Sequence, residues 1–245
     1  MKLISYNLEK HRAAGELIEL VRSTGATALC IQEARTKELP SSLEGLQLLT
    51  VTPNNRLGLA IYGDTERYEL VDSFRRSFQK SLHDRIAAPA EHRLLGVVLR
   101  DRETRELSTL ASFHGSPLTS SNGHRRRQII ESLMAIEELA PRAPLLMAGD
   151  YNYPIFRRGL SKTLSDSGYE LSFSDVGTYE RSLVRGHFDF LTSRGFAIGS
   201  VRTLAKGSSD HRPILIEAER RVAASAELLV RTAQSTVDES ESVER

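Results

Sequence analysis

The sequence predicts an α/β protein. Two observations carry that reading. Short apolar runs of strand length recur along the chain, with helical periodicity at 13–24 and again at 123–139. Several of the runs end abruptly on a polar or charged residue. At 245 residues the chain is long enough for one large layered domain or two small ones. No internal repeat and no linker divides it, which favours one domain over residues 1–219 followed by a tail at 220–245.

Composition narrows the class. Apolar residues make up 40% and charged residues 27%, ordinary for a soluble globular protein. A net charge of +1 does not by itself advertise a polyanion partner, although a local basic patch remains open. Cys30 is the only cysteine, so no intrachain disulfide can form, which fits a reducing compartment. The start, Met1 to Glu9, turns polar too soon for a signal peptide. No run reaches the roughly 18–20 apolar residues of a membrane span. A cytoplasmic location, no membrane association and a monomer without an obligate protein partner are expected.

Taken in order, Lys2–Leu8 reads as a strand carrying Asn7 near its end. Ala13–Thr24 reads as a helix with Ala14, Leu17, Ile18 and Val21 inward and Gly25 as its stop. Ala28–Gln32 is a buried strand followed by Glu33, which suits either a site or a helix cap or surface ion pair. Leu46–Val51 and Leu57–Tyr62 flank a Pro53-Asn54-Asn55 turn. The stretch from Arg67 to Arg93 is less legible; Arg75, Arg76, Lys80, Arg85 and Arg93 fit a solvated face or a phosphate-facing rim. Leu94–Leu99 and Leu107–Phe113 are close enough to pair antiparallel, and the second leads into His114.

Ser120–Asn122 can cap a helix over 123–139, with Ile129, Leu133 and Ile136 inward and Arg125 and Gln128 one turn apart. Pro144–Met147 leads into Gly149-Asp150-Tyr151-Asn152. A short helix is expected over 160–167, then a strand through Gly186-His187-Phe188-Asp189-Phe190-Leu191, then another over 197–204. Gly207-Ser208-Ser209-Asp210-His211-Arg212 follows, just before the apolar run Pro213–Ile216. An Asp-His pair at a strand mouth offers hard oxygen for a cation and a proton exchanger near neutral pH, although alone it also suits a solvated loop. Val222–Ala233 could form a helix, and 235–245 should be disordered.

The strand ends carry Asn7, Glu33, His114, Asp150 with Asn152, Asp189, and Asp210 with His211. A neutral core needs none of them, and converging unpaired carboxylates imply a cation or basic partners. Oxygen donors without a thiolate cluster favour Mg2+ or Mn2+. A hard metal beside a histidine suits phosphate-ester hydrolysis.

The ordered motifs Ser-Tyr-Asn-Leu, Ile-Gln-Glu, Ser-Phe-His, Gly-Asp-Tyr-Asn, His-Phe-Asp-Phe and Ser-Ser-Asp-His-Arg-Pro resemble the endonuclease/exonuclease/phosphatase superfamily of pancreatic-type DNases and apurinic endonucleases. The resemblance runs from residue 1 to about 219. It implies a four-layered α/β sandwich, two mixed, mainly antiparallel β-sheets packed face to face with helices outside. It implies a divalent metal, Mg2+ or Mn2+, bound chiefly by Glu33 with Asn7 and Asp210 near it. Asp150 would position or deprotonate the attacking water, Asn152 would orient water and phosphate, Asp189 would hold His211, and His114 would contact the scissile phosphate or the leaving oxygen. The Arg125–Gln128 pair resembles a recurring family feature. Members with apurinic specificity resemble the family with Tyr in place of His114, and secreted DNases carry a Glu where Asn55 stands here.

The same resemblance implies phosphoester hydrolysis, with the substrate open among DNA, RNA, nucleotides and other phosphoesters. The arginine groups favour a nucleic acid substrate, with Arg75, Arg76 and Arg125 touching backbone phosphates. His187 either contacts phosphate or covers the core. A phosphatase or phosphodiesterase on a small soluble substrate is the alternative. A non-catalytic binding module ranks last, because every acid and histidine of the motifs is present.

Overall fold

The computed structural model describes residues 1–53, 57–78, 91–181 and 184–221. Asn54, Asn55, Lys80, Arg85 and the tail from 222 onward, with its expected helix and disordered end, lie outside the described residues.

The chain forms β1 (Lys2–Asn7), a 3₁₀ turn at Ala14–Glu16 running into α1 (Leu17–Thr24), β2 (Ala28–Ala34), β3 (Ser42–Leu43), β4 (Leu46–Val51), β5 (Gly58–Asp64) and β6 (Tyr68–Arg76). Then come β7 (Leu94–Asp101), β8 (Leu107–His114), α2 (Asn122–Leu139), β9 (Leu145–Asp150) and α3 (Arg157–Asp166). The last elements are β10 (Glu170–Phe173), β11 (Tyr179–Arg181), β12 (Val184–Gly186), β13 (Asp189–Arg194), β14 (Phe196–Thr203) and β15 (Ile214–Arg220). One sheet has the order β14-β15-β1-β2-β5-β4-β3 and the other β10-β13-β9-β8-β7-β6, with β11-β12 a separate ribbon. Only β1–β2 and β8–β9 pair parallel among the described strands, so both sheets are mixed and mainly antiparallel.

Period-two alternation explains the layers. In β1, Leu3 joins the cluster between the sheets with Leu95, Leu146 and Ile216, while Ile4 and Tyr6 join an outer cluster with Leu17 and Val21 of α1. In β9, Leu146 and Ala148 face inward, while Leu145 and Met147 face the α2 and α3 residues Ile129, Leu133, Leu160 and Leu164. The result is four layers, with a helix outside each sheet.

That alternation also aims the strand ends. Asn7 shares the inward parity of Leu3, and His114 that of Leu110. Asp150 shares that of Ala148, and Asp189 that of Leu191. Across the second sheet, His114 pairs with Asp150, and Asp150 with Asp189. Three polar groups therefore sit side by side at one end of the inter-sheet core. Gly149 permits this closeness: a Cβ there would lie 1.9 Å from the Phe113 carbonyl oxygen.

Several details differ from the sequence reading. The α-helix starts only at Leu17, so its buried stripe is Leu17 and Val21 while Ile18 turns outward at 46% exposure. The stretch 67–93 conceals the nine-residue edge strand β6, whose register shifts between Leu70 and Asp72 and so breaks its alternation, leaving Leu70 and Val71 exposed beside polar residues. The run 186–191 breaks at His187-Phe188 into β12 and β13. The last strand reaches Arg220, one residue past the expected domain limit. Gly25 ends α1 as expected, with φ +64°, and Ser121 caps α2 by accepting from the His124 amide.

The loop before β15 is tied back to the first sheet. The Glu16 carboxylate accepts from the Ser208 amide at 2.7 Å, the Ser208 hydroxyl at 2.6 Å and the Tyr6 hydroxyl at 2.8 Å. A Cβ on Gly207 would strike that carboxylate at 1.9 Å. Partial burial pushes the Glu16 carboxyl up, but the Ser208 and Tyr6 donors outweigh it and leave it below its ordinary value. A lowered carboxyl contributes stability above the unfolded value and loses it as pH falls through the folded one. Glu16→Gln should therefore cost about 1 kcal/mol near neutrality, discounted for partial exposure, or roughly 2–4 °C in Tm. The gap between wild type and variant should close as pH falls below ~4.5. Thermal melts across that range test this; a gap that widens on acidification would contradict it.

Candidate active site

One oxygen, Asp150 Oδ2, is the hub. Asn7 Nδ2 from the first sheet and Asn152 Nδ2 each donate to it at 3.0 Å. His211 Nε2 lies 3.7 Å and His114 Nε2 3.8 Å away. The Asn152 amide donates to the other carboxylate oxygen at 2.9 Å. Asn152 adopts φ +50°, which folds its side chain back over Asp150. Asn tolerates this conformation better than most residues.

His211 is held from behind. Its Nδ1 lies 2.7 Å from Asp189 Oδ2, and its amide donates to Ser209 Oγ at 3.0 Å. Ser209 Oγ in turn donates to the Asn7 carbonyl at 2.7 Å, locking the loop to the end of β1. The Tyr179 ring packs at 4.8 Å and the Phe188 ring edge-on at 6.4 Å. Thr178 Oγ1 accepts from the amides of Phe188 and Asp189, fixing the start of β13.

Glu33 reaches the site through an irregularity. In regular alternation Gln32 faces inward, and it does, donating to Ser112 Oγ and Ser5 Oγ below the site. The next side chain would then face outward. The β2–β5 register shifts between Ile31 and Ala34, and Glu33 takes φ +55°. This bulge swings its carboxylate to 3.6 Å from His114 Nε2, where Oε2 accepts the Lys10 amide at 3.0 Å. Asp210 sits at the rim: its carboxylate lies 3.6 Å from Arg181 Nη1, and its amide donates to Glu9 Oε2 at 3.0 Å.

The electrostatics push the titratable groups apart. Burial raises the Asp150 carboxyl to about 7; His211 opposes this, while Asp189 and Glu33 reinforce it. Burial alone would lower His211, but the Asp189 and Asp150 carboxylates override it and raise the imidazolium to about 10. Burial, with Arg93 and His211 nearby, holds His114 well below its ordinary value. The site thus pairs a charged His211 with a neutral His114 around a carboxyl poised near neutrality.

Oxygen donors dominate the cluster, as a hard cation requires. Asp150, Asp189 and His211 bring ligand atoms within 4.8 Å of one another. His211 Nδ1 and Asp189 Oδ2 are already engaged with each other, whereas buried Asp189 Oδ1 has no hydrogen-bond partner among the described residues. The raised Asp150 carboxyl marks negative charge that a cation would compensate. The buried group of Asp150, Asp189 and His211 could therefore hold a metal ion.

The arginines fall elsewhere. Arg125 is buried, donating to the carbonyls of Pro117 at 2.9 Å and Ser120 at 2.7 Å and to Asn122 Oδ1. With Gln128, which bonds the amide and hydroxyl of Ser116, it braces the loop after His114 instead of facing solvent for a phosphate. Arg93, also buried, donates to the carbonyls of His114 and Gly115. Arg75 and Arg76 are exposed on edge strand β6, where Arg76 pairs with Leu94 and Leu94 with Phe113. That register puts them at the active-site end of the sheet, two strands or about 10 Å to the side of His114 and one strand further from Asp150. Arg76 also lies 3.5 Å from Glu138. His187 is engaged by other neighbours, its Nδ1 3.3 Å from Ser174 Oγ and its ring edge-on to Phe173.

The sequence reading missed Glu9, Glu16, Thr178 and the bracing role of Ser209. Ser209 lies inside a recognised motif; the others carry no local signal and matter only through contacts distant in sequence.

No family model matches the chain, and no curated protein matches it in sequence. Solved structures do. A Bacteroides vulgatus endonuclease/exonuclease/phosphatase superposes with a TM-score of 0.72 at 13% identity, covering 90% of this chain and 98% of its own. D. rerio TDP2, complexed with a single-strand DNA product, gives 0.72 at 15%, covering 89% and 98%. The Bacteroides thetaiotaomicron mannosyl-6-phosphatase Bt3783 gives 0.70 at 16%, covering 89% and 99%. With two face-to-face mixed sheets, helices outside and a match spanning nearly the full length of each of these structures, the chain has the fold of the endonuclease/exonuclease/phosphatase superfamily.

Proposed function

We propose that this chain is a divalent-metal-dependent phosphoester hydrolase that cleaves phosphodiester bonds of nucleic acid. The observation that carries the reading is the hub at Asp150 Oδ2, where two amides and two imidazoles converge. A carboxyl raised to about 7 is matched to taking a proton from water at neutral pH. Asn7 and Asn152 orient it. His211, kept protonated by Asp189, presents Nε2–H to a non-bridging phosphate oxygen and offsets the charge that builds there. Neutral His114 lies on the other side of the same oxygen, facing the phosphate or the leaving group.

Glu33, Asn7 and Asp210 would hold Mg2+ or Mn2+, which supplies Lewis-acid neutralisation of phosphoryl charge. Water then adds to phosphorus, its proton passes to Asp150, and the bond from phosphorus to the leaving oxygen breaks. The nucleic acid part of the reading is supported by the exposed Arg75 and Arg76 at the active-site end of β6, and by the DNA-bound neighbour of the same fold. The phosphatase neighbour favours a second reading, a small soluble phosphoester.

Two outcomes test this reading. Cleavage of bis-p-nitrophenyl phosphate and of linear and circular DNA and RNA should stop in excess chelator and return with Mg2+ or Mn2+. Asp150→Asn and His211→Ala should each lower kcat on every cleaved substrate by at least about 10²-fold; full activity in chelator would contradict the metal assignment. Separately, Arg75→Ala with Arg76→Ala should raise KM for a polynucleotide, with little change in kcat. Its log–log salt slope should become shallower by roughly 1.4–1.8 for two lost phosphate contacts. An unchanged slope removes the rim assignment, and a wild type that ignores polynucleotides but hydrolyses a small monoester moves the conclusion to the second reading.

A further inference from the structure

Just past the hub the chain exposes a surface that catalysis at Asp150 does not use. After Asn152, buried Tyr153 and half-buried Pro154 lead to Ile155 and Phe156, whose exposures are 56% and 72%. Phe156 opens α3 in the left-handed region, at φ +59° and ψ +28°. A bulky aromatic residue rarely adopts this conformation, and glycine or asparagine would do so more readily. The side chain therefore stands in solvent, on strained backbone, without packing to justify it. It stands only four positions after Asn152, at most about 14 Å along the chain.

The surroundings are cationic. A groove of ≈ 630 Å³ runs past Phe156 between Arg126, Arg157 and Arg158. It meets a second, of ≈ 680 Å³, that shares Arg157 and Arg158 and continues to Phe173 and His187, with Asp166 and Asp175 also on its wall beside Lys162. Arg157 lies over the Phe173 ring at 4.9 Å, and Arg126 reaches the Tyr153 hydroxyl at 3.2 Å. Among the described residues neither Arg157 nor Arg158 is ion-paired with a carboxylate. An exposed ring flanked by guanidinium groups that no carboxylate pairs among the described residues matches a base beside its phosphates: the ring stacks on any nucleobase, and the arginines follow the backbone.

We propose that Phe156, with Arg157 and Arg158, forms a shelf that binds single-stranded nucleic acid beside the scissile phosphate, Phe156 stacking on an unpaired base. The proposal rests on the nucleic acid reading of the same site and names the strandedness of its substrate. Duplex bases are already stacked, so a single aromatic platform has nothing to add there.

The test is fluorescence anisotropy in Mg2+ with short labelled strands whose phosphorothioate links resist cleavage. Three strands are compared: DNA, RNA and an abasic backbone of equal length. Wild type should bind DNA or RNA more tightly than the abasic strand. Phe156→Ala should weaken binding of the base-bearing strand roughly tenfold, the low end of one base–aromatic stack, and leave the abasic strand unaffected. Phe156→Tyr should restore it. Arg157→Ala with Arg158→Ala should weaken all strands alike. The proposal is overturned if Phe156→Ala binds as wild type does, if it loses the same factor on the abasic strand, or if wild type binds neither DNA nor RNA. Hydrolysis of bis-p-nitrophenyl phosphate by wild type is scored separately. Diester cleavage without the Phe156 effect removes the shelf and keeps the hydrolase; the Phe156 effect without diester cleavage does the reverse.

Discussion

The hydrogen bond from Asn7 Nδ2 to Asp150 Oδ2 joins the two sheets at the point where their apolar interface stops. Asn7 ends β1, near the middle of one sheet, and Asp150 ends β9, inside the other. Below this bond the interface is Leu3, Leu146, Ala148 and Leu191, then the polar contact of Gln32 with Ser112. Above it lies the site. A buried carboxylate is costly unless its lone pairs are used, and Asp150 receives three donated hydrogen bonds, from Asn7 and Asn152. The packing of the sheets thus sets the geometry of the site, and the site in turn limits how the sheets can slide.

The electrostatic arrangement follows from that geometry. Asp150 and Asp189 face each other in register on neighbouring strands, an arrangement that disfavours two bare negative charges. His211 lies between them, 2.7 Å from one and 3.7 Å from the other, and stays protonated. His114 is farther from an equivalent partner, lies near Arg93 and remains neutral. Two histidines about one carboxyl oxygen thereby hold opposite protonation states. Glu33 adds a further carboxylate on the far side, beyond what one imidazolium offsets. A cation held at the Asp150, Asp189 and His211 cluster would offset that remaining negative charge.

How legible the site was depends on how each side chain gets there. Asn7, His114, Asp150 and Asp189 follow the strand alternation that also builds the core, so a two-residue period and a polar terminus reveal them. Glu33 and Asn152 depend on left-handed backbone that no periodicity announces; their place just past a strand end drew attention to them, and the motif resemblance gave them roles. Arg125 misled, because a basic residue near a helix start suits a phosphate, whereas here the loop 116–121 folds over it and consumes its donors. Strand β6 escaped notice because a register shift between Leu70 and Asp72 breaks its alternation, and β3 and β11 because they span two and three residues. Glu16 was invisible because its partner, Ser208, lies 192 positions away.

The measurement closest to this account is the thermal midpoint of chelator-treated protein, with and without added Mn2+, for wild type and Glu33→Gln. Converging oxygens that want a cation predict that Mn2+ raises the wild-type midpoint in a concentration-dependent way, and that Glu33→Gln largely loses the increase while its metal-free midpoint stays the same or rises. If Mn2+ leaves the wild-type midpoint unmoved, or Glu33→Gln responds as wild type does, the carboxylates do not converge on a metal and the account fails at its centre.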